Sequence, residues 1–93
     1  MMSPIEQVLE EAVRRVNEHV QSPGLETLAP DTNVFDAVDS MAIVDLLLES
    51  ESLLEEATGK YVALANDKMF DAGASPLLRW SDWVAHVEQR HGE

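Results

Sequence analysis

Apolar residues recur every three or four positions over the first twenty residues, which is the spacing of an amphipathic helix. The stripe consists of Ile5, Val8, Leu9, Ala12, Val13, Val16 and Val20. Ser3 stands where an N-cap belongs, Pro4 follows at the first helical position, and Glu6 completes a capping box. We therefore expect a first helix from Pro4 to about Val20, ended by the Ser-Pro-Gly sequence of residues 22–24.

A long connection is expected between the first and second helices, from Gln21 to Val38. It contains five residues that resist regular structure, namely Pro23, Gly24, Pro30, Asp31 and Asn33. Four apolar residues are expected to anchor it to the core, namely Leu25, Leu28, Val34 and Phe35. Connections longer than about 12–15 residues are uncommon in compact domains and are usually functional. The length of this loop therefore indicates a functional role.

The second helix is expected to begin directly after Asp39. The carboxylate of this residue can accept hydrogen bonds from the N–H groups that a first helical turn leaves without partners. Ser40 then opens the helix with its hydroxyl near the surface, and Gly59 ends it. One face of the helix is expected to pack inward, and it carries Ile43, Leu46, Leu47, Ser50, Leu53 and Leu54.

Another face of the same helix is also apolar, but acidic residues border it. It carries Ser40, Met41, Val44 and Leu48, edged by Asp45, Glu49, Glu51 and Glu55. On one interpretation, these apolar residues are additional core and the acids form a solvated face. On the other, the face is an exposed surface that binds a partner. Helical spacing alone favours the first interpretation.

The last third of the chain predicts three further elements. Residues 60–64 read as an extended crossing segment. Residues 66–72 predict a short third helix, capped by Asn66 or Asp67 and closed by Gly73. A last amphipathic helix, with Trp80, Trp83, Val84 and Val87 on one face, is expected to run to about Arg90. Its start is open, because the sequences Ser-Pro at 75–76 and Ser-Asp at 81–82 both suit a helix start.

Length and charge limit the classes of function that the chain can have. The 93 residues suit one small domain, with a core over about residues 4–90, and a second domain is excluded. Eighteen acidic and six basic residues give a formal charge of -12. Such a charge repels nucleic acid and anionic lipid and attracts basic protein surfaces. No apolar run is long enough for a membrane span and no signal peptide is visible, so we expect a cytoplasmic protein without membrane insertion.

The residues give little support for a catalytic site or a metal site. His19 and His86 lie on two distant predicted helices and His91 lies near the C-terminus, without a metal-ligand spacing, so no metal site is expected. Ser40 as a hydrolase nucleophile would need a base and an oxyanion hole, and no Gly-x-Ser-x-Gly sequence is present. Residues 31–42 lack the glycine and glutamate of a calcium-binding EF-hand loop. Because the chain has no cysteine, any thiol must arrive with a prosthetic group.

The sequence Asp39-Ser40-Met41, followed by an amphipathic helix studded with acids, resembles the attachment site of acyl and peptidyl carrier proteins. The resemblance covers roughly residues 5–90. It implies an all-α four-helix bundle with three longer helices, one short third helix and a long first loop. It also implies that Ser40, preceded by Asp39, receives a 4'-phosphopantetheine arm from coenzyme A.

The resemblance further implies a non-catalytic, monomeric carrier that holds acyl, aminoacyl or peptidyl groups as thioesters. A phosphopantetheinyl transferase would load the arm. Acyl-loading, condensing or other acyl-processing enzymes of fatty-acid, polyketide or nonribosomal-peptide synthesis would bind it through basic surfaces. Their docking surface would consist of Met41, Val44, Asp45, Leu48, Glu49 and Glu51. The alternative is a small acidic helical protein-interaction module without a prosthetic group, which would use the same face.

Overall fold

Four α-helices form the structure, a computed structural model that describes residues 3–92. They are α1 (Pro4–Val20), α2 (Val34–Ala37), α3 (Ser40–Thr58) and α4 (Trp80–His91). The connections contain three short 3₁₀ helices, at Pro23–Leu25, Asp67–Phe70 and Pro76–Leu78. No β-strand occurs in residues 3–92. The predicted all-α class is therefore confirmed.

Local signals in the sequence set the ends of α1 and α3. Ser3 Oγ accepts a hydrogen bond from the Glu6 backbone N–H at 3.1 Å and so caps α1. The Glu6 carboxylate also accepts a hydrogen bond from the Trp80 indole Nε1–H at 3.2 Å, which ties α1 to α4. Gly59 ends α3 with a φ of 75°, a left-handed conformation that a residue without Cβ adopts readily. Its N–H donates to the Glu55 carbonyl at 2.8 Å.

The core lies between the facing sides of α1, α3 and α4. The predicted stripe of α1 is buried at Leu9, Ala12, Val13 and Val16. Its first two members, Ile5 and Val8, pack partly buried against the core, and its last member, Val20, is exposed. Two of the four predicted loop anchors, Leu25 and Val34, are buried, and Leu28 and Phe35 pack half-buried against the core. None of the helices formed by residues 3–92 combines the length and the apolar character that crossing a bilayer requires.

The predicted third helix is wrong in kind and in extent. Only Asp67–Phe70 is helical in this region, and it is a 3₁₀ helix rather than an α-helix. The predicted cap is present, since the Asn66 side chain accepts from the Lys68 backbone N–H at 2.9 Å. The helix ends at Phe70, with Asp71 rather than Gly73 as its C-cap, and the carbonyl of Asp71 accepts hydrogen bonds from the N–H groups of Ala74 and Ser75 in the turn that follows.

The last helix starts at Trp80, between the two predicted starting points. Residues Ser75–Pro76 instead open the short 3₁₀ helix Pro76–Leu78, where Ser75 Oγ accepts from the Leu77 N–H at 3.1 Å. The N-terminus of α4 is capped from a distant part of the chain. The N–H groups of Trp80 and Ser81 donate to the carbonyls of Thr32 and Pro30 at 2.8 and 2.9 Å. A cap of this kind leaves no local signal in the sequence.

The long first loop contains a helix that the pattern did not predict. Helix α2 is one turn long and covers Val34–Ala37. The Asn33 side chain accepts a hydrogen bond from the Asp36 backbone N–H at 2.9 Å and caps this turn. Val34, inside it, is fully buried. The turn therefore fixes the end of the loop against the core, two residues before Asp39.

Ser50 is buried in the core, on the face of α3 that the sequence predicts to pack inward. Its side chain is 0% exposed, and its hydroxyl has no hydrogen-bond partner within the described residues. Leaving a buried hydroxyl unpaired costs about 1–3 kcal/mol. The unpaired hydroxyl of Ser50 therefore lowers the stability of the core.

Replacing Ser50 by alanine is expected to raise the free energy of unfolding by about 1 kcal/mol or more, because it removes the unpaired hydroxyl. Part of the gain would come from the higher helix propensity of alanine. Ser52→Ala, at an exposed position of the same helix, measures that part alone. Urea unfolding of the three proteins is the test. A gain at Ser50 no larger than the gain at Ser52 would contradict the prediction.

Candidate functional site

The N-terminus of α3 has the geometry that the sequence predicts. Asp39 is extended, with φ -84° and ψ 175°, and its Oδ1 accepts from the Ala42 backbone N–H at 2.9 Å. Its carbonyl accepts from the Ile43 N–H at 3.1 Å. Ala42 and Ile43 are buried, whereas Ser40 is exposed at the first position of the helix. Asp39 thus fixes the start of α3, and Ser40, the first residue of the helix, is exposed to solvent.

The apolar residues that follow Ser40 are exposed. Met41 is 74%, Val44 40% and Leu48 55% exposed; we call these three residues the α3 stripe. The inward face of α3 is buried as predicted, at Ile43, Leu46, Leu47, Ser50, Leu53 and Leu54. The interpretation of the α3 stripe as additional core is therefore wrong. A helix that exposes three large apolar side chains in successive turns has the character of an interaction surface.

The acids beside the α3 stripe are not equivalent. Asp45 and Glu55 are exposed. Glu49 is about one-third exposed and accepts a hydrogen bond from Arg15 of α1, with 3.0 Å between Nη1 and Oε1. Arg15 also pairs with Glu11, one turn earlier on α1. Arg15 therefore partly offsets the charge of Glu49. Asp45 contributes more than Glu49 to the negative electrostatic potential at this end of the surface.

Glu11 forms ion pairs with both arginines of α1. Hydrogen bonds first from Arg14 and then from Arg15 lower the pKa of Glu11 to about 2. Arg14 also donates to Glu18, and hydrogen bonds to Glu11 and Glu49 raise the pKa of Arg15. Arg14 and Arg15 are thus both paired with acids of the chain itself.

Glu51 is not on the exposed rim, and its predicted placement there is wrong. Its side chain is 7% exposed, because the segment between α3 and the next helix crosses over it. Oε2 accepts from the backbone N–H groups of Leu64 and Ala65 at 2.7 and 3.1 Å. Oε1 accepts from the Tyr61 hydroxyl at 3.1 Å. Glu51 therefore fastens the crossing segment to α3.

Tyr61 is the exposed residue at this site that the sequence pattern did not identify. Its side chain is 59% exposed although its hydroxyl reaches Glu51. Side chains from Tyr61 to Ala65 alternate between exposed and buried, as they do in an extended segment. Extended structure was predicted for residues 60–64, but that pattern does not tell which part of α3 the segment crosses.

Stability is expected to fall at alkaline pH as Tyr61 ionises. The hydrogen bond to Glu51, and then the charges of Glu51 and Glu55, raise the pKa of Tyr61 above its usual 10.0. A tyrosinate cannot donate and is repelled by the carboxylate. The contribution of this contact is complete below the unfolded-state pKa and disappears as pH rises through the higher folded-state pKa. Urea unfolding at several pH values above neutrality, compared with Tyr61→Phe, measures it. Equal pH dependence in both proteins would contradict the assignment.

The histidines lie apart from the N-terminus of α3. His19, on the last turn of α1, lines a groove between α1 and α3 together with Arg14 and Leu48. His86 stacks on Trp83 within α4, with 6.0 Å between the ring centroids, and His91 ends that helix. Across residues 3–92, no group of three or more histidine, aspartate or glutamate side chains is arranged to hold a metal ion.

Comparisons with known proteins add no relative to these observations. No protein-family model matches the chain, and neither the curated proteins nor the solved structures contain a significant match.

Proposed function

We propose that this chain is a carrier protein of the acyl or peptidyl carrier type. Ser40 holds a 4'-phosphopantetheine arm, and acyl, aminoacyl or peptidyl groups travel on its thiol as thioesters. The observation that carries the proposal is the position of Ser40. It is exposed at the start of a helix, directly after a capping aspartate and directly before the exposed α3 stripe. We further propose that the three longer helices, α1, α3 and α4, form a carrier bundle in which the 3₁₀ helix Asp67–Phe70 takes the place of the short third helix, and that the protein works as a monomer in the cytoplasm.

The residues at the start of α3 suit an attached phosphodiester. Loading would form a bond between Ser40 Oγ and the phosphorus that carries pantetheine, break the pyrophosphate bond of coenzyme A and release adenosine 3',5'-bisphosphate, while the hydroxyl proton passes to a base of the transferase. The Ser40 position needs no catalytic neighbour in the chain itself, because the transferase supplies that base. The N-terminus of α3 carries a partial positive charge that favours an anion by about 0.3–1 kcal/mol at an exposed site. The chain has no cysteine, so the thiol is supplied by the arm.

The α3 stripe and the acids beside it suit the binding of a partner enzyme. Aromatic and other large apolar side chains slow release when a partner covers them, whereas charges at the rim mainly speed encounter. Met41 adjoins Ser40, so an enzyme that grips the stripe also reaches the serine. The net charge of -12 favours partners with basic docking surfaces. These partners are a phosphopantetheinyl transferase and acyl-loading, condensing or other acyl-processing enzymes.

The proposal is tested by incubating the chain with coenzyme A and a broad-specificity phosphopantetheinyl transferase. Intact mass spectrometry should show the increment of one arm. A chain that stays unmodified, but binds a basic protein through the α3 stripe, would instead support an acidic helical interaction module without a prosthetic group.

The two parts of the docking surface are expected to respond differently to substitution. Asp45→Lys should slow arm transfer and reduce its sensitivity to salt, because Asp45 acts through the long-range field. Leu48→Ala should raise the KM of transfer about fivefold at every salt concentration, because the loss of a buried anchor does not depend on screening. Transfer rates measured over a range of ionic strength check both.

Glu88→Lys provides the matched control for the charge reversal. Glu88 is exposed on α4, so the net charge changes equally while the α3 surface is intact. If Glu88→Lys slowed transfer as much as Asp45→Lys, net charge rather than the α3 face would govern docking, and the placement of the surface would be wrong.

A further inference from the structure

The exposed apolar surface of α3 continues beyond Leu48 onto the crossing segment. Glu51 follows Leu48 by three residues and Val44 by seven, so all three lie on one face of the helix. Tyr61 donates its hydroxyl to Glu51 and is 59% exposed. Its hydroxyl therefore lies at the Glu51 position, about one helical turn beyond Leu48. With a rise of about 1.5 Å per residue, the surface from Met41 to the Glu51 position is about 15 Å long.

Several contacts hold Tyr61 at this place. Glu51 accepts two backbone hydrogen bonds from Leu64 and Ala65, which fix the crossing segment at its far end. Val62, the neighbour of Tyr61, is buried in the core, as is Leu64. These contacts fix the backbone on the C-terminal side of Tyr61, and the hydrogen bond from its hydroxyl to Glu51 fixes the ring. A tyrosine held in this way loses little conformational entropy when a partner covers it.

The chemistry of Tyr61 differs from that of the residues on α3. Tyrosine is enriched among the residues that contribute most to protein binding, because its ring buries a large apolar area and its hydroxyl stays hydrogen-bonded. Exposed Glu55, on the next turn of α3, lies near enough to contribute to the electrostatic environment of Tyr61. The surface therefore ends as it begins, with a large apolar side chain beside an acidic one.

We propose that Tyr61 is the distal anchor of the docking surface and that Glu51 is the positioning residue that holds it there. The occupant is the enzyme that modifies Ser40, which presents an apolar strip about 15 Å long with basic residues beside it. This inference rests on the proposed function. It reassigns Glu51 from a contact residue to one that acts through Tyr61.

Arm transfer by the phosphopantetheinyl transferase tests the proposal, with the KM for the carrier and kcat measured separately. Tyr61→Ala should raise KM about tenfold and leave kcat unchanged, because a remote anchor contributes equally to ground-state and transition-state binding. Tyr61→Phe keeps the ring and should raise KM less. Glu51→Gln should raise KM in the same direction. Circular dichroism and urea unfolding establish that each variant is folded under the assay conditions.

A second readout separates positioning by Glu51 from a general structural role. The chain contains a single tyrosine, so the ultraviolet absorbance of tyrosinate reports on Tyr61 alone. In Glu51→Gln, the Tyr61 pKa should fall back toward 10.0, because the carboxylate that raises it is gone. Glu88→Gln, which removes an exposed acid from α4 instead, is the control and should leave both the Tyr61 pKa and KM at their wild-type values.

The outcomes distinguish the two proposals. If wild type accepts the arm and Tyr61→Ala has a wild-type KM, the distal anchor is wrong while the carrier function stands. If Glu51→Gln is folded and lowers the Tyr61 pKa without changing KM, positioning by Glu51 is wrong. If wild type accepts no arm, both the carrier function and the inference drawn from it fail.

Discussion

Ser40→Ala is expected to fold as wild type does and to accept no phosphopantetheine arm. Ser40 is exposed, and Asp39 accepts the hydrogen bonds that start α3, so removal of the Ser40 hydroxyl leaves the cap in place. Unfolding free energy should change by no more than about 0.5 kcal/mol, as for most surface substitutions. Loss of loading should be complete, because in the proposed function the hydroxyl oxygen of Ser40 is the atom that bonds to phosphorus.

Ser52→Ala is the matched control for this substitution. Ser52 is an exposed serine on the same helix, twelve residues after Ser40. It should accept the arm at the wild-type rate. Mass spectrometry of both variants after incubation with the transferase gives the answer. An arm on folded Ser40→Ala would show that another residue is the attachment site.

Glu51→Ala is expected to lower the free energy of unfolding by about 2–4 kcal/mol. Hydrogen bonds to charged groups contribute about 1.5–3 kcal/mol each, and loss of the carboxylate leaves the buried Leu64 N–H without its acceptor. The total stability of a domain of this size is about 5–14 kcal/mol, so the loss is a large fraction of it. Urea unfolding, monitored by the circular dichroism of the helices, measures the change.

Glu55→Ala is the control for the loss of one acid from α3. Glu55 is exposed one turn after Glu51 and should change stability by about 0.5 kcal/mol or less. Glu51→Gln, which keeps one acceptor oxygen, should fall between the two. If Glu51→Ala were as stable as Glu55→Ala, Glu51 would not fasten the crossing segment.

Features that depend on neighbours in the sequence were predictable. The caps at Ser3 and Asp39 and the stop at Gly59 follow from side-chain chemistry within one helical turn, and all three are confirmed. The inward face of α3 follows from helical spacing, and its members are buried, including the small polar Ser50. For the α3 stripe, spacing favoured additional core. In the folded chain, however, Met41 and Leu48 are more than half exposed.

Features that depend on distant parts of the chain were not predictable. The start of α4 is set by carbonyls of Pro30 and Thr32, about fifty residues earlier. The burial of Glu51 depends on where the crossing segment lies, and that segment is ten to fourteen residues later in the chain. A helical wheel shows which residues share a face, but it does not show which loop covers that face. For this reason an acid beside the α3 stripe, placed on the rim by spacing, proved to be a buried anchor.

The central claim is that Ser40 carries a phosphopantetheine arm, and mapping of the modified residue tests it most directly. Wild-type protein would be incubated with coenzyme A and a broad-specificity phosphopantetheinyl transferase, digested, and sequenced by tandem mass spectrometry. We predict one arm per chain, on the peptide that contains Asp39-Ser40-Met41 and localised to Ser40. An unmodified chain, or an arm on any other residue, would contradict the account.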